Sequence, residues 1–123
     1  MKSSYDDYGR YRPALFGTLV WWARDQRTLT YPELVAESHV PIDLSRERSR
    51  KILGYWLQQL SRDEHTRGCP ILPAVVVQTS MPLPAQGFFR VLVELGLMRE
   101  EEAHETVHRR ELLRVFDYYA DEL

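Results

Sequence analysis

The pattern of apolar and polar positions divides the chain into a polar start and a series of amphipathic segments. Residues 1–12 are mostly polar and show no apolar period, so we predict a flexible N-terminal arm. Apolar side chains then recur every three or four residues up to Arg24, and Pro13 suits the first position of a helix because it has no backbone N–H. A first helix is therefore expected over residues 13–24.

Two further helix starts follow in the first half of the chain. Thr30 precedes Glu33 by three residues, a capping-box pattern that predicts a short helix beginning beside Thr30. After a loop, Asp43 or Ser45 is expected to cap the longest helix, which continues to about Glu64. Two successive helices joined by a short connection are typical of a helix-turn-helix unit.

The second half contains one strand pattern and two more helices. Residues 71–77 include three consecutive valines and predict a buried strand, whereas the prolines in residues 78–86 predict a wing or a returning loop. An apolar helix is expected to begin at Gly87 and to end at Gly96, and an acidic amphipathic helix is expected over about residues 101–122. The fold class is therefore predicted as mainly α with a small β wing: a winged helix-turn-helix-like single domain over residues 13–123, with an added C-terminal helix.

Length and composition agree with one globular domain. The chain has 123 residues, of which 44% are hydrophobic and 28% charged, a balance that differs from disordered and fibrous chains. No apolar run reaches the length of a membrane span, and the first residues do not resemble a secretory signal, so we expect a cytoplasmic protein without a membrane partner. Cys69 is the single cysteine, which agrees with a reducing compartment.

Charge is distributed unevenly, which bears on the class of partner. The formal net charge is −2, but residues 46–67 hold six basic residues against three acidic ones, whereas residues 99–123 hold four against eight. A basic middle permits a local nucleic-acid contact, and the acidic end argues against a protein that coats DNA by bulk charge.

One side of the third helix combines the groups that contact phosphates and base edges. On a helical wheel, the side opposite Leu53 carries cations, an aromatic hydroxyl and amides. We therefore predict nucleic-acid contacts on this face; a solvated polar surface is the alternative. The predicted contact residues are Lys51, Tyr55, Gln58 and Arg62, with Arg48 at the edge and Arg50 next to Lys51.

The order of three short motifs resembles one known family. TYPELVA (residues 30–36), KILGYWL (51–57) and PILPAVVV (70–77), followed by a leucine-rich helix, resemble the DNA-binding half of the O6-alkylguanine DNA alkyltransferases and alkyltransferase-like proteins. In that family a TYGxxA-type helix start, an RAVGxAL-type recognition helix and a PCHRVV-type active-site strand follow one another on a winged helix-turn-helix. The resemblance covers roughly residues 28–97. It implies DNA binding, with Tyr31 near a phosphate at the start of its helix.

Departures from these motifs bear on chemistry. Matched on Pro73, this chain has Ala74 and Val75 where the family has its cysteine nucleophile and histidine, so the resemblance implies binding without alkyl transfer. Cys69 lies upstream without an adjacent histidine and is interpreted as a structural thiol. Lys51 stands where the family has an arginine that enters the base stack. A lysine keeps the charge but lacks the planar guanidinium, which favours phosphate or groove contact over base flipping.

A competing motif is HETVH at residues 104–108, which has the H-E-x-x-H spacing of zinc peptidases. Such a helix places His104 and His108 on one face around the metal. Arg114 stands where one class of these enzymes has its third histidine, and the flanking residues are heavily charged. Two ordinary histidines with helical spacing are therefore the preferred interpretation, and no metal or cofactor is expected.

Three functions remain open from the sequence. The favoured one is a non-catalytic module that binds nucleic acid through the basic face of helix 48–64 and the loop 78–86. The alternative is a protein-interaction or assembly subunit, as a homodimer or with another partner, in a bacterial defence or mobile-element system. It would use the C-terminal helix and Trp21/Trp22, since adjacent tryptophans cannot both face one core. A zinc-dependent hydrolase is the third.

Overall fold

Five α-helices and two very short strands make up residues 4–120, the part of the chain that the computed structural model describes. The predicted mainly helical class with little β-structure is confirmed. None of the helices in this range is long and apolar enough to cross a membrane. In chain order the elements are a 3-10 turn (Tyr5–Asp7), α1 (Tyr8–Arg24), β1 (Leu29–Thr30), α2 (Tyr31–Ser38), α3 (Glu47–Thr66), a second 3-10 turn (Leu72–Val75), β2 (Val76–Val77), α4 (Gln86–Glu94) and α5 (His104–Tyr119).

The sheet is smaller than the sequence predicted, and its strands are parallel. Leu29 of β1 lies opposite Val76 of β2, and Thr30 lies opposite Val77. The predicted strand over residues 71–77 is buried throughout, but most of it is the second 3-10 turn. The reason is where its partner begins: in the parallel register, the residues before Val76 would lie opposite the residues before Leu29, which follow α1 as a turn and not as a strand.

Residues 78–86, for which the sequence predicted a wing or a returning loop, form a compact loop up to the start of α4. The sheet consists of β1 and β2, and the loop between β2 and α4 adds no strand to it. Instead the backbone N–H of Gln78 donates to the carbonyl oxygen of Leu83 at 2.9 Å, and the Gln78 side-chain amide donates to Leu83 and Pro84. The loop is thus closed by one glutamine at its first position.

The helix starts agree with the sequence at α2 and differ at α3. At α2 the backbone N–H of Thr30 donates to the carboxylate of Glu33 at 2.8 Å, and the Thr30 hydroxyl accepts from the Glu33 N–H, which confirms the capping box. At α3 the N-cap is Arg46, without a side-chain cap. The predicted cap is wrong because Asp43 accepts hydrogen bonds from the backbone and hydroxyl of Ser45 instead.

The N-terminal residues are more structured than the expected arm over residues 1–12. Residues 4–12 form the first 3-10 turn and the start of α1, so this helix begins five residues before Pro13. The physical reason is a set of contacts with α3: the Tyr8 hydroxyl donates to Asp63 at 2.6 Å, and Arg12 donates to the buried carboxylate of Glu64 at 2.9 Å. Residues 1–3 of the predicted arm lie outside the described residues.

The C-terminal half packs around the second 3-10 turn. The last residue of α4 is Glu94, and the predicted terminating glycine, Gly96, follows with a positive φ of 73° while the Leu97 N–H donates to the carbonyl oxygen of Leu92. α5 begins later than expected, after Ala103, and its predicted end at residue 122 falls outside the described residues. Within α5, His108 is buried and its Nε2 lies 2.8 Å from the carbonyl oxygen of Ala74. α5 is therefore joined to the turn that precedes β2.

Candidate functional site

A cavity of about 520 Å³ lies where the first turn of α2, the part of α3 from Arg50 to Ser61 and the start of α4 meet. Pro73 of the second 3-10 turn and Gln78 of the closed loop complete its lining. This volume is within the range of sites that bind small molecules or single nucleobases, about 300–1,000 Å³. We call it the basic cavity, for the reason given next.

The charged side chains that line the cavity are all cations. They are Arg50 and Lys51 of α3 and Arg90 of α4, and no aspartate or glutamate lines the cavity. Arg50 is held in place because its guanidinium donates to the carbonyl oxygen of Leu44 at 2.8 Å. Lys51 is largely exposed, and its nearest acidic partner is Glu47 at 3.8 Å, one helical turn away. The potential at the opening therefore favours an anion.

The inner lining is apolar, with a few polar groups. Leu53 and Leu57 of α3 face Phe88 of α4 across it. The Tyr31 hydroxyl accepts a hydrogen bond from the Ala85 N–H at 2.9 Å, so its own O–H is free to donate. Burial raises the pKa of Tyr31, which keeps this hydroxyl protonated. Apolar surfaces with a small number of polar groups are typical of sites that bind small molecules.

A glycine sets the width of the cavity between α3 and α4. A Cβ atom at Gly87 would stand 2.5 Å from the side-chain nitrogen of Gln58. Because glycine has no side chain, the start of α4 can approach the side-chain amide of Gln58 on α3, which also lines the cavity. Any larger residue at position 87 would displace the Gln58 amide.

The predicted contact residues divide into separate groups. Four of them line the basic cavity, but Arg62 does not: its guanidinium donates to both carboxylate oxygens of Glu94 on α4, at 2.7 and 2.9 Å. These hydrogen bonds lower the pKa of Glu94. The predicted face is thus corrected, because α4 covers the C-terminal part of it. The four cavity residues are Tyr31, Arg50, Lys51 and Gln58.

The remaining predicted residues, Arg48 and Tyr55, lie beside the N-terminal 3-10 turn. The rings of Tyr5 and Tyr55 meet edge to face with centroids 5.3 Å apart, and the Arg48 guanidinium lies 5.8 Å from the centre of the Tyr5 ring. We call these three residues the Tyr5 cluster. The cluster is exposed to solvent.

Two residues of this surface, Arg90 and Tyr5, were not predicted from the sequence, whereas Gln78 belongs to the predicted loop 78–86. Arg90 has a signal in hindsight, since it is the only charged residue between Gly87 and Val93 in an otherwise apolar stretch. Tyr5 has none, because its position depends on the packing of residues 4–7 against α3.

The three motifs that suggested a family resemblance meet at this cavity. Tyr31 of the first motif, Lys51 and Gly54 of the second, and Pro73 of the third all line it. Ala74, which follows Pro73 in the third motif, is fully buried. Cys69 does not line the cavity; its sulfur lies 3.4 Å from the Tyr118 hydroxyl. A comparison with known proteins finds no matching family model, curated protein or solved structure.

The H-E-x-x-H pair has structural contacts. The Ala74 carbonyl oxygen only accepts hydrogen bonds, so Nε2 of His108 bears a proton and donates to it. The ring of His104 stacks on Phe89 with centroids 3.9 Å apart. Between residues 4 and 120, no three side chains of the metal-ligating types are grouped. Both histidines thus pack α5 against its neighbours.

The adjacent tryptophans differ in exposure, as the sequence implied. Trp22 is half-buried: its indole N–H donates to Glu37 at 2.8 Å, and Arg27 lies 5.0 Å from its ring centre. Trp21 is 72% exposed. α5, which the alternative hypothesis also invoked, buries Val107 and Val115 within this domain and exposes Leu113.

Proposed function

We propose that the protein binds nucleic acid at the basic cavity and that the cavity receives one unpaired base. In this proposal α2 and α3 are the two helices of a winged helix-turn-helix-like domain, and the closed loop at residues 78–86 takes the place of the wing. The observation that carries the proposal is a cavity of about 520 Å³ lined by three cations and no carboxylate. Phosphates supply the complementary charge, and a base supplies the flat apolar surface.

The roles of the lining residues follow from their chemistry. Lys51 and Arg50 at the start of α3 would contact the phosphates on either side of the base. Leu53 and Phe88 would pack against its faces, and the Tyr31 hydroxyl would donate to an acceptor on its edge. No covalent step is proposed, because Ala74 and Val75 stand where the resembled family has its nucleophile and histidine.

The lysine at position 51 bears on which nucleic acid is preferred. In the resembled family an arginine fills the space that a flipped base leaves in the duplex, and a lysine lacks the planar group for this. We therefore expect a preference for bases that are already unpaired, since their entry into the cavity costs no disruption of a base pair.

A salt-titrated binding assay tests the proposal. The probes are a labelled paired duplex, the same duplex with one unpaired base, the same duplex with an O6-alkylated guanine, and the single strand. We expect the tightest binding to the probe with the unpaired base. Replacing Arg50 or Lys51 by alanine should reduce the slope of log Kd against log salt by about one per lost phosphate contact. Arg99→Ala, at an exposed cation away from the cavity, is the matched control. Absent or salt-insensitive binding would overturn the proposal.

One observation supports the alternative function, a protein-interaction subunit. Trp21 exposes 72% of its surface on α1, and large exposed aromatic residues are enriched where proteins associate. If this residue mediates self-association, sedimentation should show a concentration-dependent dimer that Trp21→Ser abolishes. A chain that sediments as a monomer at every concentration would exclude the homodimer.

A further inference from the structure

The first 3-10 turn is fixed to α3 by backbone contacts. The indole N–H of Trp56 lies 3.2 Å from the carbonyl oxygen of Ser4 and 3.3 Å from that of Tyr5. Ser4 and Asp7 form a capping box around the turn, and the Tyr8 hydroxyl donates to Asp63 just after it. Trp56 is fully buried, so the turn is bonded to a side chain of the hydrophobic core. The Tyr5 side chain therefore has a defined place beside α3.

The Tyr5 cluster has planar groups with unused bonding capacity. Tyr5 and Tyr55 are each 37% exposed, and Arg48 is exposed as well. Neither phenol hydroxyl has a hydrogen-bond partner within residues 4–120, and no carboxylate in that range forms an ion pair with Arg48. Two aromatic rings and a free guanidinium are the groups on which unpaired bases stack without sequence preference.

The cluster and the basic cavity are neighbours on α3. At about 100° per residue, Lys51 lies roughly 40° from Tyr55 and roughly 60° from Arg48 around the helix axis. Gln58, which lines the cavity, lies about 20° from Lys51 on the other side. Lys51 thus stands between the cavity and the cluster. A nucleic-acid strand with a phosphate at Lys51 would have the cavity on one side and the cluster on the other.

We propose that the Tyr5 cluster is a second subsite, which stacks an unpaired base one to three nucleotides from the base in the cavity. This inference rests on the proposed function and adds a substrate class to it: a strand whose unpaired region extends beyond the single recognised base. Charge favours nucleic acid here over a protein partner, because the cluster contributes the cation Arg48 and the adjacent cavity contributes Lys51 and Arg50.

Matched gapped probes test the inference. One probe is a duplex with a single unpaired base; the others place a gap of one, two or three nucleotides in the opposite strand, beside that base on either side. The wild-type protein should bind the best gapped probe about tenfold more tightly than the ungapped one, a gain typical of one stacked base. The Tyr5→Ala/Tyr55→Ala double variant should lose this gain and still bind the ungapped probe.

Two further variants separate stacking from structural effects. Tyr5→Phe/Tyr55→Phe retains the rings and should retain the gain, whereas Tyr118→Ala removes an exposed tyrosine of α5 and should change nothing. Equal wild-type affinity for gapped and ungapped probes would overturn the subsite while leaving the proposed function in place. A gain in affinity for the gapped probe that persists in the double alanine variant would also overturn the subsite and leave the proposed function in place. Absence of binding to every probe would overturn both.

Discussion

The two halves of α3 both contain basic residues, yet these residues have different surroundings. In the N-terminal half, Arg48 is exposed, and Arg50 and Lys51 line the basic cavity. In the C-terminal half, Arg62 is bonded to Glu94 of α4, and Arg67 lies 3.7 Å from the buried carboxylate of Glu64. The N-terminal cations line the cavity or are exposed, whereas Arg62 joins α3 to α4 and Arg67 pairs within the end of α3.

The net charge of a sequence segment therefore differs from the charge that its exposed side chains present to a partner. The net charge of residues 46–67 includes Arg62 but not Glu94, which neutralises it from another helix. α1 is bonded to Asp63 and Glu64 near the end of α3, and α4 is bonded to Arg62. The N-terminal half carries the α3 cations of the cavity and Arg48 of the Tyr5 cluster. Four experiments, in order of expected effect, test this division of α3 into a ligand-facing and a structural half.

The largest effect is expected from Glu64→Ala. Glu64 is 1% exposed and accepts hydrogen bonds from Arg12 and Tyr119, so its loss leaves Arg12 without its buried partner. We expect the free energy of unfolding to fall by about 3 kcal/mol, the usual effect of breaking a buried ion pair. Urea denaturation measures it. Glu47→Ala, in the exposed first turn of the same helix, should cost less than about 1 kcal/mol. Equal losses in the two variants would contradict the division.

Gly87→Ala should have the opposite profile, with binding reduced and stability retained. The new Cβ would displace the flexible end of Gln58 and narrow the cavity. We expect roughly fivefold weaker binding of the probe with an unpaired base, the effect of losing about 1 kcal/mol of hydrogen bonding. The free energy of unfolding should change by less than about 1 kcal/mol. Gly17→Ala, on the open surface of α1, is the matched control. Unchanged binding would show that Gln58 does not contact the ligand.

Lys51→Ala and Arg62→Ala compare one cation from each half directly. Each phosphate contact accounts for about a threefold loss of affinity between about 50 and 200 mM salt. Lys51→Ala should remove one phosphate contact, so the loss of affinity over this salt range should be about threefold smaller than in the wild type. Arg62→Ala should leave the salt dependence as in the wild type, since Arg62 is bonded to Glu94. Binding titrations at several salt concentrations measure both. A reduced slope in Arg62→Ala alone would reverse the assignment of the two halves.

The smallest effect concerns His108, which supports the turn behind Pro73. Burial lowers the pKa of His108, and its hydrogen bond to Ala74 raises it by a smaller amount. The unfolded chain therefore binds a proton more readily, so stability should fall as the pH drops below about 6.5, the ordinary histidine value. Urea denaturation from pH 7 to pH 5 measures this loss, and His108→Gln should reduce it. An equal loss of stability in His108→Gln would show that the titration of another group causes it.

Local signals in the sequence predicted the elements that local contacts determine. The Thr30–Glu33 capping box and the terminating glycine after α4, Gly96, each depend on residues within a few positions, and both are confirmed. The early start of α1 and the conversion of most of the strand at residues 71–77 into a turn depend on partners far along the chain, so no local pattern revealed them.

The candidate site shows the same limit. Lys51 and Arg62 have equivalent places in the sequence pattern of α3, and only the position of Glu94, which belongs to another helix, separates them. Four of the seven predicted contact residues line one cavity because their motifs meet there. The cavity itself depends on how closely α4 approaches α3 at Gly87. The spacing of apolar residues in the sequence does not predict that distance.

The short sheet has a consequence for how the chain folds. β1 and β2 have two residues each, yet their pairing joins the segments on either side of α2 and α3. Closing a long segment costs more entropy than closing a short one, and such distant pairs form slowly. We expect β1 and β2 to pair late in folding. The cavity includes Tyr31, directly after β1, and Pro73, shortly before β2, so it would be completed in the same late step. The helices would then form before the chain is able to bind a ligand.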